Sequence, residues 1–169
     1  SAKNNEMTLF PDIFNAKSVY VMQSVDFSYN KISGFENGDN FKGINSSAVN
    51  ITNNRLETFP GILFKTGSPM NQLILAGNGM KEIPKGSLEG DRTYLLEALD
   101  LSYNYLSELP DDFYARTLPY LSGMDLSYNR FSSFPTKPLS ISTLSRFFIR
   151  YQRDENGNRS LKEWPTGLY

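Results

Sequence analysis

Histidine and cysteine are both absent from the 169 residues, which removes the imidazole- and thiolate-based nucleophile systems and the commonest zinc ligands. Carboxylates remain. Asp100 and Asp125 recur 25 residues apart in matching surroundings. That spacing puts them on adjacent strands ~4.8 Å apart, close enough to share a proton as an acid–base pair does. A second oxygen-rich run, Asp154-Glu-Asn156-Gly-Asn158, invites a calcium reading. It fails as a calcium loop, because Arg159 stands where glycine is needed and Pro165 where the bidentate glutamate belongs. Asn156-Gly157 between extended segments signals a hairpin turn instead. Gly77-Asn-Gly79 lacks the spacing of a phosphate-binding loop. No catalytic, cofactor-binding or metal-binding set emerges, so the chain reads as a non-enzyme.

The elements that position these residues are set by a repeat. Asparagines stand at Asn5, Asn30, Asn54, Asn78, Asn104 and Asn129, separated by 25, 24, 24, 26 and 25 residues. Two residues after each comes an apolar side chain, five after it another, and proline follows in five of the six copies, Glu36 being the exception. Before the asparagine, at −5 and −3, stand apolar pairs such as Val25/Phe27, Leu73/Leu75, Leu99/Leu101 and Met124/Leu126. Self-similarity at this period indicates stacked coils.

Leu96-Glu-Ala-Leu99-Asp-Leu101-Ser-Tyr-Asn104-Tyr-Leu106 and Leu121-Ser-Gly-Met124-Asp-Leu126-Ser-Tyr-Asn129-Arg-Phe131 carry a resemblance to the leucine-rich repeat family. Essentially the whole chain shares it, with looser copies where Ser46 and Met70 replace the first leucine. The resemblance implies an α/β repeat solenoid: an arch with a parallel sheet on its concave face and short helices, turns or loops on its convex face. In flavour it is similar to repeat proteins on the envelope of Gram-negative gut bacteria, which implies an extracellular or cell-surface location. Animal extracellular arrays of this kind carry disulfide-linked caps, and a chain without cysteine has none.

The physics agrees. One coil of ~24 residues cannot enclose its own apolar side chains, so burial is shared between neighbours. The two-residue alternation around Leu99-Asp-Leu101 is that of a half-buried strand. The asparagines at 30, 54, 78, 104 and 129 read as a structural ladder. Each amide has donor and acceptor capacity for a turn whose backbone groups would otherwise cost ~1–3 kcal/mol each if left unpaired. Asp111-Asp112 after Pro110 reads as the start of a short helical turn. Phe14, Leu63 and Phe113, each three residues after a proline, form a second apolar row along the back, and Phe59, Phe64 and Phe134 read as core.

We read 1–169 as one domain of about six coils, cut from a longer chain: Asn5 sits at the asparagine place of a coil whose strand would precede Ser1. A net charge of −1 and a pI near 5.5 offer nothing general to nucleic acid, and no apolar run is long enough to span a membrane. The glycosylation triplets at Asn45, Asn50 and Asn158 are what chance provides in an Asn- and Ser-rich chain.

Function is therefore sought on the strand faces. By phase, each strand exposes positions −6, −4, −2 and −1 from its asparagine. The −4 column reads Asp26, Asn50, Ile74, Asp100, Asp125; the −2 column Ser28, Thr52, Ala76, Ser102, Ser127; the −1 column Tyr29, Asn53, Gly77, Tyr103, Tyr128. Tyrosine gives rigid contact area with a polar tip, a combination favoured at recognition surfaces. The last coil departs from the rule. Leu144, Phe147 and Ile149 keep phase, Arg159 is expected in the asparagine place, and an inserted hairpin spans 150–159 with Arg150, Tyr151 and Arg153. Insertions in repeat proteins map to loops, often on the binding face. These residues point to a module that recognises a protein or peptide through the concave sheet and terminal hairpin. Glycan recognition and a spacer between other domains are the alternatives.

Overall fold

The structure is a computed structural model that describes residues 1–11, 20–36, 44–65, 70–89, 95–113 and 117–163. Its main sheet is parallel and six-stranded, in the order β2 (Tyr20–Asp26), β4 (Ile44–Asn50), β5 (Gln72–Ile74), β6 (Ala98–Asp100), β7 (Gly123–Asp125), β8 (Arg146–Phe148). A smaller parallel pair joins β1 (Leu9–Phe10) to β3 (Gly34–Phe35). The helical elements among the described residues include α1 (Ile62–Lys65) and a 3-10 turn at Lys137–Ser140. The expected repeat solenoid with a parallel sheet is what the chain forms.

Register follows the sequence phase. Asp26 pairs with Asn50, Asn50 with Ile74, Ile74 with Asp100, Asp100 with Asp125 and Asp125 with Phe148. The −5 and −3 side chains turn inward, so Val25, Phe27, Leu73, Leu75, Leu99, Leu101, Met124 and Leu126 are all buried. Ile32, Leu56, Met80, Leu106 and Phe131, two residues past each asparagine, close the core from the far side. Leu63 and Phe113 are buried along the back, while Phe14 lies outside the described residues. Phe59 stacks on Phe64 inside the coil, and Phe134 is partly buried against the core.

The asparagine side chains bind the coils together. Asn54 Oδ1 accepts the Ile32 amide at 2.9 Å, and its Nδ2 donates to the carbonyls of Phe27 and Ile51 at 3.0 and 3.1 Å. Asn78 and Asn129 repeat this arrangement, each reaching one coil back. Asn30 does so from the first described coil, accepting from Met7 and donating to Ala2 and Phe27. Asn104 accepts three amides, those of Asn78, Gly79 and Met80. Every one of these five asparagines is buried. An amide is the smallest side chain that supplies an acceptor and two donors at one point, as the turn requires.

Two expectations need correction. Arg159 does not take the next rung; Gln152 does, with only 4% exposure. Its Oε1 accepts the Phe131 amide at 3.1 Å and its Nε2 donates to Leu126 O at 2.8 Å, as Asn129 does one coil earlier. The longer side chain performs the same amide function. The extra residues therefore follow the rung instead of preceding it: Arg153 and Arg159 close an antiparallel bridge around the Asn156-Gly157 turn. Arg150 and Tyr151 consequently belong to the regular columns at −2 and −1. The second correction concerns Asp111-Asp112, which lie in a non-helical turn in which the Phe113 amide donates to Pro110 O. Asp112 is buried and its Oδ2 accepts the Gly86 amide of the preceding coil at 2.7 Å, so that oxygen ties coils together.

Candidate functional site

The chain bends sharply at the residue before each rung, and that residue takes a left-handed backbone. Asn4, Tyr29, Asn53, Tyr103, Tyr128 and Tyr151 have φ between 52° and 60°, and Gly77 has φ 66°. Asparagine and glycine enter this region at little cost, whereas a bulky side chain there costs roughly 1–2 kcal/mol. Four tyrosines accept that strain, and all four are exposed.

Three of them form a continuous stack. The rings of Tyr103 and Tyr128 lie 4.1 Å apart at 9°, and those of Tyr128 and Tyr151 lie 4.8 Å apart at 22°. The spacing is that of adjacent strands, so in-register tyrosines on successive coils stack without side-chain rearrangement. Hydrogen bonding to the Tyr103 side chain, followed by partial desolvation, pushes the Tyr128 phenol above its ordinary value. Tyr29 stands apart from the stack, with the Lys3 ammonium 5.1 Å from its ring centroid. Between them lie Asn53 and Gly77. A Cβ on Gly77 would fall 2.2 Å from Asn53 Oδ1, so no side chain can continue the stack there unless Asn53 moves.

The acids of the −4 column each brace a turn through one carboxylate oxygen. Asp26, Asp100 and Asp125 each accept the amide two residues on, from Ser28, Ser102 and Ser127, at 2.9, 2.9 and 2.7 Å. Asn50 makes the same turn with Thr52. Burial pushes the Asp26 carboxyl up, but the bonds from Ser28 and the nearby Lys3 and N-terminal charges hold it below the usual carboxylate range. This turn also explains a third correction. The −2 serines Ser28, Ser102 and Ser127 are buried, not presented, because the capped turn draws them into the bend. A hydroxyl-lined concave surface was expected; instead the −4 and −1 columns are half-buried or exposed throughout, Thr52 and Ala76 are half-buried at −2, and Arg150 is exposed there.

On one side of the tyrosine ridge lies a hollow of about 380 Å³ bordered by Tyr103, Asp125, Tyr128, Phe148, Arg150 and Tyr151. On its other side is one of about 260 Å³, between Tyr105, Arg130 and the hairpin residues Arg153, Asp154 and Glu155. Arg130 caps the Tyr105 ring at 4.4 Å. The hairpin is rigidified by Asp154, whose Oδ1 accepts the amides of Asn156 and Asn158, both at 2.9 Å. The bond from Asn158 is the main reason that the Asp154 carboxyl lies below its usual range. Among the described residues no group of histidine, cysteine or acidic side chains has the geometry to hold a metal. No helix among them is long and apolar enough to cross a membrane.

The sequence-derived site residues thus divide. Tyr103, Asp125, Tyr128, Arg150 and Tyr151 come together around one hollow, with Asp100 on the adjoining strand. Asp26 and Tyr29 lie at the other end of the sheet, and Arg153 stands beyond the ridge at the hairpin. Sequence reasoning missed Arg146 and Phe148. Their signal was available in the phase, since Phe147 and Ile149 fix the strand whose outward residues they are.

Comparison with known proteins gives the following. The family described as Leucine Rich Repeat matches residues 95–115. A crystal structure of a leucine-rich repeat protein from Bacteroides thetaiotaomicron is 54% identical with a TM-score of 0.90, over 96% of this chain and 21% of that one. A second, from Bacteroides eggerthii, is 50% identical with a TM-score of 0.89, over 97% of this chain and 29% of that one. Human leucine-rich repeats and immunoglobulin-like domains protein 1 is 32% identical over 127 residues, which is 75% of this chain and 11% of that protein. Mouse Tsukushi is 32% identical over 81 residues, 48% of this chain and 23% of that protein. The chain therefore spans less than a third of each of these relatives.

Proposed function

The chain belongs to the leucine-rich repeat family, and from that premise we propose that it is a non-catalytic module that binds a protein or peptide across the C-terminal half of its concave face. Relatives of this family serve typically as protein-interaction modules, which supports binding in general. The observation that carries the finer reading is the tyrosine ridge. Tyr103, Tyr128 and Tyr151 are exposed, mutually rigid, and held in a backbone region where asparagine or glycine would be easier. Strain of this kind concentrates where a residue is needed for contact. Rigid aromatic side chains lose little entropy on binding and are enriched among residues that dominate binding energy. The hairpin forms the far wall of the groove beyond the ridge. The likeness to two Bacteroides proteins supports a bacterial source, and we place the module at the cell surface or outside the cell.

The test is affinity capture from the native environment with the intact chain, then titration of the recovered partner against Tyr128→Asn. A loss of at least tenfold with unchanged melting temperature supports the ridge as the contact. A recovered glycan, or a partner indifferent to the ridge, overturns this reading.

A further inference from the structure

The last coil changes the surface chemistry abruptly. At −6, −4 and −2 the coil carrying Asn129 has a buried Gly123, a half-buried Asp125 and a buried Ser127, whereas the next exposes Arg146, Phe148 and Arg150. A step rises there, with an acidic floor formed by Asp100 and Asp125 and a cationic, aromatic wall. Two hollows meet at this step. One of about 320 Å³ is bordered by Asp100, Gly123, Asp125, Arg146 and Phe148; the other, of about 380 Å³, holds Asp125, Tyr128, Phe148 and Arg150. Asp125 and Phe148 are common to both.

The arginines and carboxylates that border these hollows do not pair with one another. Among the described residues no ion pair joins Asp100 or Asp125 to either arginine. Asp100 and Asp125 use Oδ1 for their own turns, and no hydrogen bond engages their second oxygens among the described residues. The Arg146 guanidinium lies flat over Gly123, its atoms 3.5–3.7 Å from the point where a Cβ would stand. The Arg150 guanidinium lies over the Phe148 ring, 5.0 Å from the centroid. Phe148 lies between Arg146 and Arg150 along the last coil and beside Asp125 on the neighbouring one.

We propose that this step binds a segment of a partner protein carrying a cationic side chain and, two residues further on, an anionic one. The inference rests on the concave face being a protein-binding surface and specifies what the partner brings. Asp100 and Asp125 are in register on neighbouring strands, so their second oxygens flank a single ammonium or guanidinium. The partner's carboxylate then meets Arg150, with Arg146 on the other flank of Phe148. The spacing fits. From the point between Asp100 and Asp125 to the Arg150 position is about one and a half strands across and two residues along, roughly 10 Å; same-face residues of an extended segment stand about 7 Å apart, and the length of a lysine or arginine side chain spans the difference. A segment of one charge is repelled by half of the site, and a neutral ligand leaves both halves unmatched.

The proposal is tested by titrating the intact chain, at low salt, with the acetylated and amidated peptide Ala-Lys-Ala-Glu-Ala and following backbone amide shifts. Controls carry two lysines, two glutamates or two glutamines at the same places. The expected result is saturable shifts centred on Gly123, Asp125 and Arg150 with the mixed peptide, and affinities at least tenfold lower for all three controls. Asp125→Asn and Arg150→Gln should each weaken the mixed peptide several-fold while leaving the melting temperature unchanged. Equal binding of mixed and control peptides on the concave face overturns the charge match but leaves the face a peptide-binding surface. Absence of mixed-peptide shifts at the step overturns the proposal. If a captured natural partner nonetheless loses affinity with Tyr128→Asn, the reading of the ridge survives that failure.

Discussion

Tyr103 and Tyr128 lie ring over ring, 4.1 Å apart and within 9° of parallel, although each has a φ near +56° that suits asparagine or glycine better. Their strands pair in register through Asp100 and Asp125, so the coil spacing sets the ring spacing. Stacking returns ~0.5–1.5 kcal/mol per pair, while the left-handed backbone costs roughly 1–2 kcal/mol per tyrosine. The stack offsets the strain only in part, which is why the tyrosines require a further reason.

The pair should be visible in titration. The Tyr128 phenol, raised by hydrogen bonding to Tyr103, should ionise above the ordinary tyrosine value when followed by tyrosinate absorbance. Tyr103→Phe should bring it back toward that value. Because the raised value favours the protonated native form, the stabilising contribution is fully present below the unfolded-state pKa. It disappears as pH rises through the native one. A Tyr128 titration unaffected by Tyr103→Phe would contradict the pairing.

Removing ladder amides should cost stability in proportion to what they hold. Asn104 accepts from three backbone amides where Asn129 accepts from one. Asn104→Ala should therefore lower stability by at least ~1–3 kcal/mol, and by more than Asn129→Ala does. Denaturant midpoints would show the order. Asp100→Ala should also cost something, since its carboxylate accepts both the amide and the hydroxyl of Ser102.

Gln152 and Arg159 separate the observed register from the one expected from sequence. Gln152→Ala leaves the buried Phe131 amide without its partner and should cost ~1–3 kcal/mol. Arg159→Ala, at an exposed hairpin position, should stay within about 0.5 kcal/mol of the parent chain. Equal losses would contradict the assignment.

The fold was legible because asparagine, leucine and proline recur at fixed phase, and each type has one physical task in the coil. The spacing from Asn5 to Asn129 therefore carries the solenoid, the inward columns and the strand register. The last rung was obscured because glutamine does the work of asparagine at position 152, although Phe147 and Ile149 already fixed the phase. The buried −2 serines were missed for a different reason. Alternation along a strand continues to predict exposure at Ser102 and Ser127, but the chain has left the strand there and the −4 carboxylate folds the turn inward. The stack of Tyr103, Tyr128 and Tyr151 needed three dimensions, since Asn53 and Gly77 in the same column hint at a left-handed backbone but residue type does not say which way a tyrosine ring turns.

Gly77 should resist substitution. Its φ of 66° and the 2.2 Å approach to Asn53 Oδ1 predict that Gly77→Ala loses about 1–2 kcal/mol or more. Adding Asn53→Gly should restore the part due to the collision and leave the part due to the backbone. A double variant no better than Gly77→Ala would show that Asn53 plays no part.

The central claim is that the tyrosine ridge is kept for contact and not for the fold, and thermal unfolding of Tyr103→Asn/Tyr128→Asn/Tyr151→Asn tests it without a partner in hand. Three relieved left-handed backbones, roughly 1–2 kcal/mol each, should match or exceed two lost stacks of ~0.5–1.5 kcal/mol each. The account predicts a stability no more than about 1.5 kcal/mol below that of the parent, read from the same unfolding transition. A loss of more than about 3 kcal/mol would make the stack a structural element and contradict the claim.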